Sequence, residues 1–169
     1  MHITISKVIN IVFYVFIAYI LYLKIPSFYQ MWKAQGVQAP SAEVLSLDQK
    51  QIKIPLLKKQ VIIFWATWCA PCKIELDRMN KLIQENQLKA EDVLAISIQE
   101  DLKTVLDYTK NKNFKFEVAL DESGQVAQLY DVVGTPTLIL VDANGIVHWK
   151  TSGISPSLSF RVKNFFNQN

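Results

Sequence analysis

Cysteine is scarce: Cys69 and Cys72 are the only two in 169 residues. A pair cannot build a disulfide framework, so stability must come from a packed core. Cysteine usage alone leaves the redox compartment open. Histidine is equally rare, with His2 near the N-terminus and His148 in a segment of strand character. A structural zinc site needs four ligands, and this inventory offers no obvious set. No basic patch or stripe is present: the formal charge is +3 and the lysines are spread along the chain. That pattern argues against nucleic-acid binding. Internal repeats and low-complexity tracts are also missing.

Apolar residues are plentiful, at 50% of the chain, and the excess sits at the N-terminus. Val8 to Leu23 reads VINIVFYVFIAYILYL, with Asn10 its only strongly polar residue and Lys7 and Lys24 at its flanks. Sixteen residues rise about 24 Å as a helix, slightly short of a ~30 Å hydrocarbon core. Snorkelling lysines, together with Ile3, Ile5 and Ile25, extend the apolar length. Residues 1–25 are therefore expected to be a transmembrane anchor; the competing reading is a cleaved signal peptide. Lysines on both sides leave its orientation undecided by charge. Residues 26–41 carry Pro26, Gly36 and Pro40 and are expected to act as a linker. A domain over 42–169 follows.

Within that domain, Glu43–Leu47 and Gln51–Leu57 are strand candidates, the second an edge because of Pro55. Val61–Ala66 is a continuous apolar run, as in a central strand buried on both faces. Cys72, Leu76, Met79 and Ile83 then share one helical face. Val93–Ile98 is a second buried strand, and Asp101 caps a helix whose Leu102, Val105, Leu106 and Thr109 share a face. A short strand at Phe116–Leu120 and a short helix through Tyr130 follow. Leu138–Val141 and Ile146–Thr151 form a hairpin, for which Asn144-Gly145 predicts a type I′ turn. Ser155-Pro156 predicts the start of a last helix packing Leu158, Val162, Phe165 and Phe166. Alternating strands and helices imply a parallel core, and the hairpin adds an antiparallel edge. The fold class is thus α/β, a central mixed sheet flanked by helices.

Chemistry concentrates in Trp68-Cys69-Ala70-Pro71-Cys72, between the apolar strand and the amphipathic helix. A three-residue step across a first helical turn brings two thiols within disulfide reach. The first thiol meets unpaired N–H groups and the helix macrodipole, which favour a thiolate. Cys69 is expected to be the exposed nucleophile and Cys72, one turn in, the resolving thiol. Pro71 suits a helix start, since its missing N–H has no helical partner there. Glu75, three residues after Cys72, is a candidate for pKa tuning or proton transfer; an exposed helix glutamate is the plainer alternative. Pro136, between Thr135 and Thr137, is either an ordinary trans proline or a cis proline holding a turn. A cis form could leave the Thr135 main chain free to pair with a substrate strand. A copper-carrier reading would want a nearby histidine or methionine; His148 is a candidate, with a sheet-surface histidine the plainer alternative.

Phe64-Trp65-Ala66-Thr67-Trp68-Cys69-Ala70-Pro71-Cys72-Lys73-Ile74-Glu75, with Gly134-Thr135-Pro136-Thr137 downstream, resembles the thioredoxin superfamily over about residues 42–168. It looks most like the membrane-tethered TlpA/ResA/CcmG-like branch. The resemblance implies a thioredoxin-like fold and a redox-active Cys69–Cys72 disulfide with no other cofactor and no metal. It also implies a cis Pro136 and an active-site carboxylate at Glu75, with Trp68, Pro71, Thr135 and Pro136 contacting substrate. The branch further implies a single-pass protein of the inner membrane with its catalytic domain in the periplasm. There it would reduce protein disulfides, apocytochrome c among them, with electrons from a membrane thiol donor. Two positions depart from the pattern. Thioredoxin's buried acid falls at Ile63, and Asp77 stands where the branch often has proline. An oxidase or isomerase of the same fold, a metal-carrying protein and a thiol peroxidase remain as competing functions.

Overall fold

A computed structural model of the chain describes residue 7, residues 10–22 and residues 35–168. Seven strands form one sheet: β1 (Ala42–Ser46), β2 (Gln51–Ile54), β3 (Gln60–Trp65), β4 (Val93–Ile98), β5 (Glu117–Asp121), β6 (Thr137–Val141) and β7 (Val147–Ser152). Accompanying them are the helices α1 (Ala70–Gln84), α2 (Leu102–Thr109), α3 (Gln125–Leu129) and α4 (Leu158–Asn167), with a short 3₁₀ turn at Ala90–Asp92. The strand order is β2-β1-β5-β4-β3-β6-β7. β3, β4 and β5 run parallel, while β6 and β7 on one side and β1 and β2 on the other are antiparallel. The expected mixed sheet is present, with β2 at an edge.

β3 explains why the sheet is covered twice. All six of its residues are buried, and strand side chains alternate between faces. Val61, Ile63 and Trp65 pack with Cys72, Leu76 and Met79 of α1, Val105 of α2, and Leu158, Val162 and Phe165 of α4. Ile62 and Phe64 pack on the opposite side with Ala39, Ala127 of α3 and Tyr130. Each fully buried aliphatic or aromatic side chain contributes roughly 1.5–3 kcal/mol relative to exposure. Leu82 is buried in the same α1 interface, and Ile83 packs against it half-buried. In α2, Val105 alone is buried, Leu102 and Tyr108 pack half-buried against the same core, and Leu106 is exposed.

Several expectations are corrected. Among the described residues no helix is long and apolar enough to cross a membrane. The described helical stretch, residues 10–22, holds 13 residues. The absence of such a helix among the described residues corrects the expected transmembrane anchor and, with it, the single-pass inner-membrane placement. Residues 1–6 (His2 among them), 8, 9 and 23–25 of the expected anchor and residues 26–34 of the expected linker lie outside the described residues. The β6–β7 turn is not type I′, which needs positive φ at both central residues. Only Gly145 adopts one, at 79°, and the strand register shifts at Leu140/Val141. Asp142 organises this turn, accepting from the Asn144 and Ile146 N–H groups at 2.8 and 2.9 Å. Helix α4 begins at Leu158, with Ser157 as its cap. Ser155 lies one turn before it, and its N–H donates to Glu75 on α1.

Candidate active site

The sheet topology alone brings the two sequence motifs to one end of the molecule. Phe64 near the end of β3 pairs with Thr137 at the start of the antiparallel β6. The loop after β3, carrying the cysteines, and the loop before β6, carrying Thr135 and Pro136, therefore leave the sheet side by side. The Thr135–Pro136 bond is cis, as is Ile54–Pro55. Pro136 is buried and Thr135 half-buried. The loop is tied to the end of β7: Gly153 N–H donates to the Pro136 carbonyl at 2.7 Å. Within the described residues no hydrogen bond engages the Thr135 main chain.

Cys69 and Cys72 form a disulfide with their Cα atoms 5.2 Å apart. Cys69 is the N-cap of α1, and its Sγ accepts from the Cys72 N–H at 3.2 Å. Pro71 lies in the first turn, where helix N–H groups lack partners. Cys72 is 0% exposed and Cys69 is 4% exposed. The expected exposed Cys69 thus has only a narrow opening, while retaining the pair's whole accessible surface. Trp68 beside it is 73% exposed, and Ile74, Val133 and Ile154 add apolar surface on the flanking segments.

Glu75 is fully buried rather than an exposed helix glutamate. Its Oε1 accepts from Ser155 N–H at 2.7 Å, and Arg78 Nη1 lies 3.3 and 3.2 Å from its two oxygens. The same Arg78 nitrogen donates to the Ser155 carbonyl at 3.0 Å. One carboxylate and one guanidinium thereby join α1 to the chain entering α4. The helical spacing put Glu75 on the Cys72 side, and the i,i+3 spacing to Arg78 was a local signal for the pair; Ser155, eighty residues from Glu75, carried none. His148 pairs with Asp142, Nε2 to Oδ2 at 3.0 Å, and stacks against Phe165. It belongs to the hairpin rather than to the dithiol.

Glu100 escaped the sequence reading. It follows β4 and accepts from the Thr67 N–H at 2.9 Å, the Thr67 hydroxyl at 2.5 Å and the Ser97 hydroxyl at 2.7 Å. The available signal was its position: a charged residue just past the carboxyl end of a central parallel strand, where α/β sheets place their sites. Tyr108 of α2 packs on Trp65 at 5.4 Å between ring centres. Its hydroxyl is pushed above the ordinary tyrosine value, chiefly by burial and further by the charges of Asp77 and Glu100.

The sequence pattern of the AhpC/TSA family matches residues 35–150. The thiol-disulfide oxidoreductase ResA of Bacillus cereus (strain ATCC 10987 / NRS 248) is 32% identical over 120 residues, spanning 70% of this chain and 69% of the relative. ResA of Bacillus subtilis (strain 168) is 30% identical over 116 residues, spanning 68% and 65%. Among solved structures, the thiol:disulfide interchange protein DsbE from Chlorobium tepidum superposes with a TM-score of 0.69 at 26% identity. That match spans 78% of this chain and 94% of the other. StoA from Bacillus subtilis gives 0.64 at 20% identity, spanning 78% and 99%; this second likeness concerns the fold.

Proposed function

The chain belongs to the AhpC/TSA family and is a thiol-disulfide oxidoreductase of ResA type, and from that premise we propose that it reduces disulfides in client proteins through Cys69 and Cys72. The carrying observation is the position of Cys69 Sγ at the N-terminus of α1, linked to a Cys72 with no exposure. In the dithiol form, the Cys69 thiolate attacks one sulfur of a client disulfide. A Cys69–client bond forms, and the other client sulfur leaves as thiolate. The Cys72 thiolate then attacks Cys69 Sγ, closes the intramolecular disulfide and releases the second client thiol. Two electrons pass to the client, and a dithiol donor must return two to the Cys69–Cys72 disulfide.

The N–H groups at the helix start stabilise the attacking thiolate and then the departing one. Exposed Trp68 and the unpaired main chain of Thr135 beside Pro136 provide docking for an extended client segment. Pro71 shapes the first turn of α1 between the two thiols. Glu75, held by Ser155 and Arg78, sets the electrostatic surroundings of the buried thiol. Residues 42–169 are the catalytic unit, and apocytochrome c is the client class under this reading.

Trapping tests it. With Cys72→Ser the exchange stops at the mixed disulfide, so client proteins should accumulate on Cys69 and be released by dithiothreitol. Recovery of apocytochrome c supports the client assignment. A trap that stays empty in lysates rich in oxidised protein rejects protein-disulfide reduction.

A further inference from the structure

The loop that presents Cys69 hangs on a carboxylate outside the cysteine motif. Glu100 is 8% exposed, and both of its oxygens are occupied. Thr67 gives its main-chain N–H to Oε2 and its hydroxyl to Oε1, while Ser97 gives its hydroxyl to Oε2. Ser97 pairs with Trp65 in the β3–β4 register. One carboxylate therefore ties the ends of two central strands to a residue two positions before Cys69.

The main chain around Glu100 is built for this. Gln99 has a φ of 55°, a region rarely occupied by residues other than glycine, asparagine and aspartate. Its N–H is fixed by the Asp121 carbonyl at 2.9 Å. Immediately afterwards, Asp101 caps α2 by accepting from the Thr104 N–H at 2.9 Å. The chain thus turns sharply at one residue and leaves Glu100 against the neighbouring loop. Burying a carboxylate is costly unless donors surround it, and three donors surround this one.

Thr67 lies inside the turn that sets Cys69, in which Cys69 N–H donates to the Ala66 carbonyl at 3.2 Å. That turn determines whether Cys69 Sγ stays within reach of the Cys72 N–H. We propose that Glu100 is a positioning residue for thiol-disulfide exchange: by holding both donors of Thr67 it fixes the Ala66–Cys69 turn and keeps Cys69 Sγ at the start of α1. The proposal rests on Cys69 being the attacking thiol. Other charged or titratable groups on this side are Tyr108 from α2, Lys112 just after it, and Asp77 and Lys73 from α1. They are unchanged by the variants below. Position and charge act in opposite directions: a loosened turn makes Cys69 a poorer thiolate, whereas simple loss of a nearby negative charge makes it a better one.

The full-length reduced protein is alkylated with iodoacetamide across pH, and the Cys69 adduct is located and quantified by mass spectrometry. Thr67→Val removes the hydroxyl donor and keeps the Glu100 charge; Glu100→Gln removes the charge and one acceptor. Both are expected to move the profile to higher pH and slow alkylation at pH 7 by about threefold, the effect of a half-unit rise. Thr67→Ser should match the wild type, and the Thr67→Val/Glu100→Gln pair should be no slower than the worse single variant. Profiles that coincide with the wild type, even in variants of lower urea resistance, would overturn the proposal. A Glu100→Gln profile moved to lower pH would overturn it as well. If Glu100→Gln fails to fold, Thr67→Val carries the test, since it retains the N–H bond. The premise fails separately: wild-type protein that forms no Cys69 adduct before Cys72 reacts cannot use Cys69 as its attacking thiol.

Discussion

Replacing Glu75 by alanine removes the joint between α1 and the chain that enters α4. The carboxylate is 0% exposed and accepts a 2.7 Å bond from Ser155 N–H. Its ion pair with Arg78 is looser, at 3.2 Å, with the arginine side chain 36% exposed. Hydrogen bonds to a charged group contribute roughly 1.5–3 kcal/mol, and a buried donor left alone costs about 1–3 kcal/mol. The Arg78 contribution is discounted for solvent screening to at most about 1 kcal/mol. Glu75→Ala should therefore destabilise the oxidised protein by about 2–4 kcal/mol. Glu75→Gln keeps an acceptor for Ser155 and should cost about 1–2 kcal/mol. Arg78→Ala should cost about 1 kcal/mol, from the pair and its bond to the Ser155 carbonyl. Urea unfolding with the disulfide intact measures all three at constant slope. A Glu75→Ala midpoint equivalent to less than about 0.5 kcal/mol of loss would refute the structural role assigned to this carboxylate. So would an Arg78→Ala effect larger than that of Glu75→Ala.

Leu76→Ala should cost about 2–5 kcal/mol, because Leu76 is fully buried between α1 and β3; thermal or urea unfolding checks it. Trp68→Ala should leave stability within about 0.5 kcal/mol, its side chain being largely exposed, yet raise KM for a protein disulfide in a turbidity assay of insulin reduction. Burial pushes the Asp142 carboxyl up, but the Ile146 and Asn144 amides and the His148 ring outweigh it and hold it below its ordinary 3.8. A group lowered in the folded state stabilises above its unfolded pKa, and that stabilisation is lost as pH falls through the folded one. The urea-midpoint gap between wild type and Asp142→Asn should accordingly be largest near pH 6 and shrink towards pH 3. A gap that widens in acid would contradict the assignment.

The parts of the fold legible in the sequence were those with strong local pattern. The unbroken apolar run Val61–Ala66 and the period of Cys72, Leu76 and Met79 located β3 and α1, and therefore the cysteines at their junction. What escaped depended on distance or on main-chain geometry. Glu75 was singled out, but its partner Ser155 comes from a loop that no helical spacing connects to it. Glu100 went unread: its donors come from Thr67 and Ser97 through the fold, and the left-handed Gln99 that sets its place carries no compositional mark. The Asn144-Gly145 pair signalled a hairpin correctly, but Asp142 accepts from two main-chain amides and selects a different turn. The apolar N-terminus predicted a span, yet among the described residues no helix is long and apolar enough to cross a membrane.

The reduction potential of the Cys69–Cys72 couple tests the central claim most directly. It is read by equilibrating the full chain against redox buffers of known potential and quantifying the free thiols. A client-reducing dithiol should titrate in the range of reducing thioredoxin-like proteins, about −270 mV. A value near −120 mV, at the oxidising end of the fold's range, would contradict the account and make the chain an oxidant of its clients.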